Sequence, residues 1–375
     1  MVSVWEKETF FAPQDIIIAG SGFVGLWSAY FLKKRNPKLK ITILEKGLIP
    51  TGASTRNAGF ACFGSLSELL ADEQSAGTDR MLQLVEMRYK GLERIRSTFK
   101  EEEIDMEMSG GYELFNSDSN VSTEDLQEQI KYLNEILDEI VHAETYRLAD
   151  KKINSFGLKG ISHLVRNNLE GVLHSGKLVR ALLQKVQRAG VQVLNNIELK
   201  HFEKTNGHIE IETDKQIRFI SQQLLICING FAKRLLPEMD VQPARGQILL
   251  TSPIEKLPWK GTFHYQQGFY YFRNLGKRIL LGGARNLAVS EETTFSLDTS
   301  EKIQQELERF LHEVVVPGKK FDIEMRWSGT MGIGGEKMPI HKEISPGIFC
   351  CVRMSGMGVA LAPLLGEKTA KMMRQ

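Results

Sequence analysis

Gly20, Gly22 and Gly25 follow an isoleucine-rich run, Asp15 to Ala19, and Glu45 stands 20 residues beyond the last of these glycines. This is the spacing with which a chain holds a dinucleotide. The first glycine permits a tight turn, the second lets a pyrophosphate approach the backbone, and the third lets helix and strand pack closely. The helix N-terminus then offers unpaired N–H groups and a partial positive charge to the phosphates. Glu45 can accept hydrogen bonds from ribose hydroxyls and would repel a 2′-phosphate, which argues against NADP.

Two further groups of residues could do chemistry. Ser54, Thr55, Arg56 and Asn57 lie in KGLIPTGASTRNAGFACFGS, which is too rich in Gly, Ala and Ser for a core strand. It reads as a loop that holds a ligand through backbone and small side chains, or as a turn cluster capping the helix that begins near Ser65. Tyr265, Tyr270, Tyr271, Arg273 and Arg285 lie on or beside strand-like runs, where a ligand-facing sheet would use some of them to orient a polar substrate. Tyr270 and Tyr271 are neighbours and face opposite sides, so at least one is a half-buried strand residue with a satisfied hydroxyl. His174 stands at a strand end and reads as structural. Cys62, Cys227, Cys350 and Cys351 have neither metal-ligand nor CxxC spacing, and no metal site is expected. Cys350 and Cys351 sit in an apolar strand and read as buried thiols.

The elements that must position these residues are legible in outline. Phe23, Trp27, Tyr30 and Phe31 recur at helical spacing behind the glycine turn, and Lys40 to Leu44 is a second strand. An amphipathic helical pattern runs from about Ser65 to Glu103, SGGYELFNS is a turn and strand, and Thr123 to His142 is a charged helix. A helix from Lys177 to Arg188 precedes the strand VQVLNN, and HIEIE with IRFISQQLLICING forms a meander ending at the turn Asn229-Gly230. GQILLT, GFYYFRN and RILLGGAR are strands of a second sheet, followed by a charged helix from Ser300 to Val314. The last segment, IFCCVRMSGMGVALAPLLGEKTAKMM, is strand, glycine turn and helix, with Pro363 near the first turns. Two helix N-termini at opposite ends of one chain suggest a long ligand.

The 375 residues suggest two domains, and 48 basic against 46 acidic side chains leave a charge of +2. Nothing in that balance points to a nucleic-acid or anionic-membrane partner. The N-terminus lacks a signal-peptide pattern and no run approaches a membrane span, so a cytoplasmic protein is expected.

In ordered segments the sequence resembles the FAD-dependent D-amino acid oxidase superfamily, which includes glycine, sarcosine and γ-glutamylputrescine oxidases. The resemblance rests on IIIAGSGFVG with Glu45, GASTRNAGF, LICINGFAKRLLP followed by PARGQI, RWSGTMG, and VRMSGMGVALAPLLG. It implies an α/β (α+β) two-domain protein: a Rossmann-like FAD-binding domain of the glutathione reductase type, with an inserted mixed-sheet substrate domain. Segments 14–90, 145–240 and 325–375 would bind FAD; 91–144 and 241–324 would bind substrate. Gly20, Ser21, Gly22 and Gly25 would surround the pyrophosphate, and Glu45, with Lys46 beside it, the adenosine ribose. Ser54, Thr55, Arg56, Asn57 and Ala58 would line the flavin, and Ile197 would meet the adenine side through its backbone. Asn229, Gly230, Gly329 and Arg353 would complete the cofactor site, with Ser355, Gly356, Met357 and Gly358 at the pyrimidine edge of the ring.

The implied reaction is oxidation of the C–N bond of a primary or secondary amine or amino acid, with oxygen the expected acceptor and Tyr270, Tyr271, Arg273 and Arg285 as catalytic candidates; the alternatives are a dehydrogenase using another electron acceptor, or a flavoprotein with structural FAD and a partner-binding role. A small-molecule substrate, a soluble chain and room for a homodimer complete the expectation. Departures from the family pattern sharpen it. Met331 stands where glycine oxidase-like sequences place a carboxylate-binding arginine, so Arg273 or Arg285 must supply that charge or the substrate is not a simple amino acid. No cysteine lies between Trp327 and Pro339, which implies non-covalent FAD, and Leu280 replaces a lysine that sarcosine oxidase-like members carry.

Overall fold

The computed structural model describes residues 2–119, 121–205 and 207–373; positions 120, 206, 374 and 375 of the segments assigned above lie outside it. Among the described residues the chain forms two eight-stranded sheets and one two-stranded pairing. The first sheet is built on Gln14–Ala19, which pairs in parallel with Ile41–Glu45 on one side and Arg218–Ile226 on the other. Gln192–Asn195 and Ile348–Val352 extend it in parallel at either flank. A meander of Leu199–Thr205 and His208–Thr213 feeds Arg218–Ile226, as the alternation in HIEIE indicates.

Successive side chains of Gln14–Ala19 enter different cores because a strand has period two. Ile16 and Ile18 pack with Trp27 and the long helices, whereas Ile17 and Ala19 pack with Phe219, Ile209 and Val352. Burial on both faces accounts for the unbroken apolar run. Against the first face lie the helices Phe23–Arg35, Thr78–Thr98 and Gly358–Met372. Their backbones touch: a Cβ on Gly91 would fall 1.7 Å from the Ala360 carbonyl oxygen, and one on Gly366 2.7 Å from Trp27.

The second sheet is mixed, in the order Ile323–Ile333, Gln242–Thr251, Arg278–Gly283, Tyr270–Leu275, Thr262–Tyr265, Gly111–Asn116, Ile161–Asn167, Tyr146–Leu148. One face is covered by Glu301–Phe310, whose Ile303, Leu307 and Phe310 pack on Tyr270 and Phe272. The opposite face turns toward the first sheet. There Tyr271 stands opposite both His264 and Gly282, and Gly282 opposite Ile248, so a single row crosses four strands.

Three expectations differ from the structure. The helical stretch from 65 to 103 is broken at Gly77, whose φ of 85° separates Leu66–Ala76 from Thr78–Thr98. The helix expected to run from Ser300 to Val314 is α-helical only to Phe310 and widens into a π turn at Leu311–Val315. Tyr146–Leu148, Ile161–Asn167 and Ile323–Ile333, in segments grouped above largely with the nucleotide unit, pair in the second sheet. The pattern of a strand, whatever its length, carries no mark of which sheet will accept its edge. No helix among the described residues is long and apolar enough to cross a membrane.

Candidate functional site

A cavity of about 1270 Å³ runs between the two sheets, larger than the roughly 300–1,000 Å³ of a typical small-molecule site. At one end Gly20 adopts φ 99°, and a Cβ there would fall 2.9 Å from the Cys227 carbonyl oxygen. Gly22 precedes the helix Phe23–Arg35 and lines the cavity. Gly25 does not line it: its Cβ would sit 2.0 Å from the Gly20 carbonyl oxygen, so its absence lets helix meet strand. Glu45 faces the cavity with a fixed carboxylate, accepting from Ser21 N (3.0 Å), Ser21 Oγ (2.6 Å) and Gly47 N (2.8 Å). Ser21 is itself fully buried and acts through Glu45. Ile197 lines the same end and donates its N–H to the Glu45 carbonyl. Lys46 pairs with Glu198 at 3.0 Å and lies over the Phe231 ring.

The glycine-rich loop reaches across the middle. Ser54 Oγ accepts from Phe23 N at 2.8 Å, so this loop caps the dinucleotide helix. The Arg56 guanidinium donates to Thr51 O and Ser328 O, and Trp327 Nε1 donates to Arg56 O, which ties the loop to the second sheet. Asn57 lines the cavity, yet its amide is spent on Ala53 O, Ser54 O, Gly59 N and Ser175 Oγ. Ala58 and Gly329 line the cavity beside it. Thr55 does not, because its hydroxyl donates to Pro50 O inside the loop.

At the far end Ser355, Gly356, Met357 and Gly358 line the cavity, where the helix Gly358–Met372 begins with no side-chain cap. Asn229 Oδ1 accepts from Arg353 N and Met354 N and so braces this turn, in which Arg353 and Ser355 take φ of 64° and 47°. The Arg353 side chain corrects the expectation of a cofactor contact: its guanidinium turns away to Asp240, Glu336 and Met338 O. Gly230 is likewise outside the cavity, its missing side chain leaving room for the Met331 carbonyl 2.3 Å from a Cβ position.

The sheet wall separates the four catalytic candidates. Tyr270 is on the opposite face, where its hydroxyl donates to Glu306 at 2.7 Å, so it does not reach the cavity. Arg273 is buried, and its Nη1 donates to the carbonyls of Ala58, Gly59 and Leu173 at 3.3, 2.7 and 2.8 Å. It pins the glycine loop and is not free for a substrate, although burial lowers it only to about 10 and leaves it charged. Replacing it with methionine leaves the Ala58 and Leu173 carbonyls without this donor, while Gly59 O keeps Leu173 N, and is expected to lower stability by about 3 kcal/mol in urea unfolding. Leu280 stands opposite Arg273 in the apolar cluster of Ile248 and Leu250.

Tyr271 and Arg285 do line the cavity. The Tyr271 ring lies over Gly282, where a Cβ would fall 2.6 Å from it, and its hydroxyl reaches toward Gly246 and the Met331 side chain. Burial pushes this phenol up to about 12, so it remains an O–H donor. Arg285 stands just past the strand end, and its Nη1 is buried with no partner. Burial lowers it from the usual guanidinium value, with Glu292 opposing. His174 is the N-cap of Ser175–Arg188, its Nδ1 accepting from Lys177 N.

Sequence spacing hid two clusters on the cavity. In one, Arg88 and Lys337 meet Glu68 at 3.2 and 3.1 Å, and Lys337 also meets Asp72 at 2.6 Å. Burial alone would raise Glu68, but Arg88 and Lys337 hold it at about 2, while burial leaves Asp72 raised. Because the Glu68 value falls on folding from an ordinary 4.5, its contribution is full above that value and is lost as pH drops toward about 2. Glu68→Gln is therefore expected to flatten the acid side of a plot of urea midpoint against pH. In the other cluster, donor atoms of Cys62, Glu170 and His264 lie within 4.8 Å of one another. Burial, aided by Glu170 and Glu68, pushes the Cys62 thiol well above its usual range and so favours its protonated form. Only the position of His264 opposite Tyr271 in a hairpin gave a local signal for this group; Glu170 lies 94 residues away.

A parallel sheet with a dinucleotide turn, joined through one long cavity to a mixed sheet, defines an α/β two-domain nucleotide-dependent fold. The chain belongs to the family of FAD-dependent oxidoreductases named DAO, whose model matches residues 15–372. A probable oxidoreductase OrdL of Rhizobium meliloti (strain 1021) is 24% identical over 96% of this chain and 82% of its own length. Among solved structures, L-proline dehydrogenase from P. horikoshii superposes with a TM-score of 0.77 at 18% identity, covering 96% of this chain and 92% of that one. Glycine oxidase from Geobacillus kaustophilus gives 0.76 at 18% identity, covering 97% and 96%. The cavity fits FAD: a backbone cradle at Gly20 and Gly22, an oriented carboxylate at Glu45, and an uncapped helix N-terminus at Gly358 lie along one continuous space.

Proposed function

We propose that this protein oxidises the C–N bond of an amino acid, or of a primary or secondary amine bearing a carboxylate, with oxygen as the final acceptor. The observation that carries this reading is the Arg285 guanidinium, which lines the cavity with a buried Nη1 that no protein group meets. A buried donor left unpaired is costly, and a substrate carboxylate would satisfy it in the planar geometry guanidinium favours. Met331 offers no such donor, and Arg273 is spent on carbonyls, which favours Arg285 over Arg273 as the source of that charge and an acid over a substrate with no carboxylate.

FAD, when bound, supplies the hydride acceptor. The chain's own part is orientation and electrostatics. Arg285 holds the carboxylate, the Tyr271 hydroxyl donates to a substrate oxygen or nitrogen, and the Gly358 helix end stabilises negative charge gathering near it. With no cysteine near Trp327, the flavin is held non-covalently, in a domain of the glutathione reductase type supported by the parallel pairing about Gln14–Ala19. The test is to precipitate the purified protein with acid, look for flavin in the supernatant, and add amino acids, N-methyl amino acids and polyamines anaerobically to the intact protein. Loss of the flavin band with one class, and its return on admitting oxygen, is expected. A protein that neither carries nor takes up flavin would sink the reading.

A further inference from the structure

Glu170 and His264 are buried to 0% and 6% exposure, and nothing above gives them a task. His264 sits on the cavity wall in Thr262–Tyr265, directly opposite Tyr271. Its Nε2 is 3.2 Å from Glu170 Oε2, to which Thr262 Oγ1 also donates at 3.3 Å. Phe60 packs edge-on against the imidazole at 5.3 Å and fixes its plane. Among the described residues no protein group meets Nδ1. Glu170 Oε1 is buried without a partner beside a void of about 10 Å³ shared with Glu113, Asn167 and Tyr146, space for a single water. A carboxylate thus holds one ring nitrogen while the other is open to the cavity, the arrangement of an oriented proton acceptor.

We propose that His264 accepts, at Nδ1, the proton that the substrate's ammonium must lose before oxidation, with Glu170 as the residue that positions the ring and stabilises the imidazolium that forms. The inference rests on the amine-oxidation reading above. In the step, a substrate N–H bond breaks, a bond from that proton to Nδ1 forms, and the electron pair stays on the substrate nitrogen. That pair becomes the C=N bond as the C–H pair leaves as hydride for FAD. One positive charge passes to the imidazole, the iminium retains one, and the reduced cofactor carries one negative charge, so charge balances.

The surroundings set the pH dependence. Burial lowers His264, but Glu170, Glu113 and Glu68 outweigh it, and its net shift is upward. Arg88 and Lys337 face Glu68, while Cys62 and Tyr146 are held protonated by burial. The neutral, accepting imidazole therefore forms as pH rises through a value above that of an ordinary histidine, and flavin reduction should rise with it.

The test uses holoenzyme, H264N and the isosteric E170Q. Anaerobic flavin reduction is followed against pH, and the eight histidines are titrated by selective ¹⁵N NMR. H264N is expected to retain flavin and slow reduction about 100-fold or more, and to lose the acid limb. E170Q should move that limb to lower pH. One imidazole resonance, absent from H264N, should titrate above the ordinary histidine value and move down in E170Q. An E170Q profile that superimposes on the parent, or an His264 resonance unmoved by E170Q, overturns the proposal. If no amine reduces the parent flavin at any pH, the proposed function fails instead, and the NMR titration still decides whether the pair is coupled as described.

Discussion

Arg285→Met is expected to lower kcat/KM for a carboxylate-bearing substrate by roughly a hundredfold, about 3 kcal/mol, while leaving flavin bound. Two charge-assisted hydrogen bonds to a desolvated carboxylate are worth about that much, and methionine keeps the bulk while removing the donors. Lysine should recover only part, because a point charge cannot match a planar carboxylate in two places. Steady-state kinetics with an amino acid and with its decarboxylated amine separate the effect from a general defect. The loss should fall on the acid and spare the amine. Stability is not expected to fall, since Nη1 makes no contact to lose and removing a buried unpaired donor is favourable. Arg273→Met should behave in the opposite way, with lower stability and weaker flavin retention, because that side chain holds Ala58, Gly59 and Leu173.

Gly91→Ala, far from any motif, is the second large effect. In an exposed helix the change would gain up to about 1 kcal/mol from propensity. Here the new Cβ falls 1.7 Å from the Ala360 carbonyl oxygen and 2.9 Å from its carbon, deep inside contact distance. Overpacking costs about 1–3 kcal/mol even when side chains can adjust, and here the obstacle is backbone. The clash wins, and the helix Gly358–Met372 must shift away. Its first residues line the cavity, so FAD affinity should fall at least tenfold by fluorescence titration, together with about 2 kcal/mol of stability. Lys90→Ala on the exposed side of the same helix should change stability by less than about 0.5 kcal/mol.

What the sequence made legible was local. The turn at Gly20, the helix behind it and the strand ending at Glu45 are contiguous, so spacing alone conveyed them. Strand alternation showed that Tyr270 and Tyr271 part company, but not which of them meets the cavity, since that depends on which face the helix Glu301–Phe310 covers. Arg273 and Arg285 looked equivalent for the same reason. Arg273 shares a face with Tyr271 but lies one row further along, beneath Ala58 and Gly59, a relation set by a contact 214 residues apart. Gly91 carries no signal in a sequence, because an isolated helical glycine is unremarked until the helix that crosses it is known. The Glu170–His264 pair and the Lys337 bridge to Glu68 and Asp72 join segments with no common motif. Arg353 misled because its backbone shapes the cofactor turn while its side chain serves Asp240 and Glu336.

The most direct test of the central claim is anaerobic reduction of the bound flavin by an amino acid and by the amine left when its carboxylate is removed. On the proposed function, the amino acid is expected to bleach the flavin band at least tenfold faster at equal concentration, through Arg285, whose Nη1 has no protein partner. Equal rates for the two, or a flavin that no amine of either kind reduces, would contradict the account.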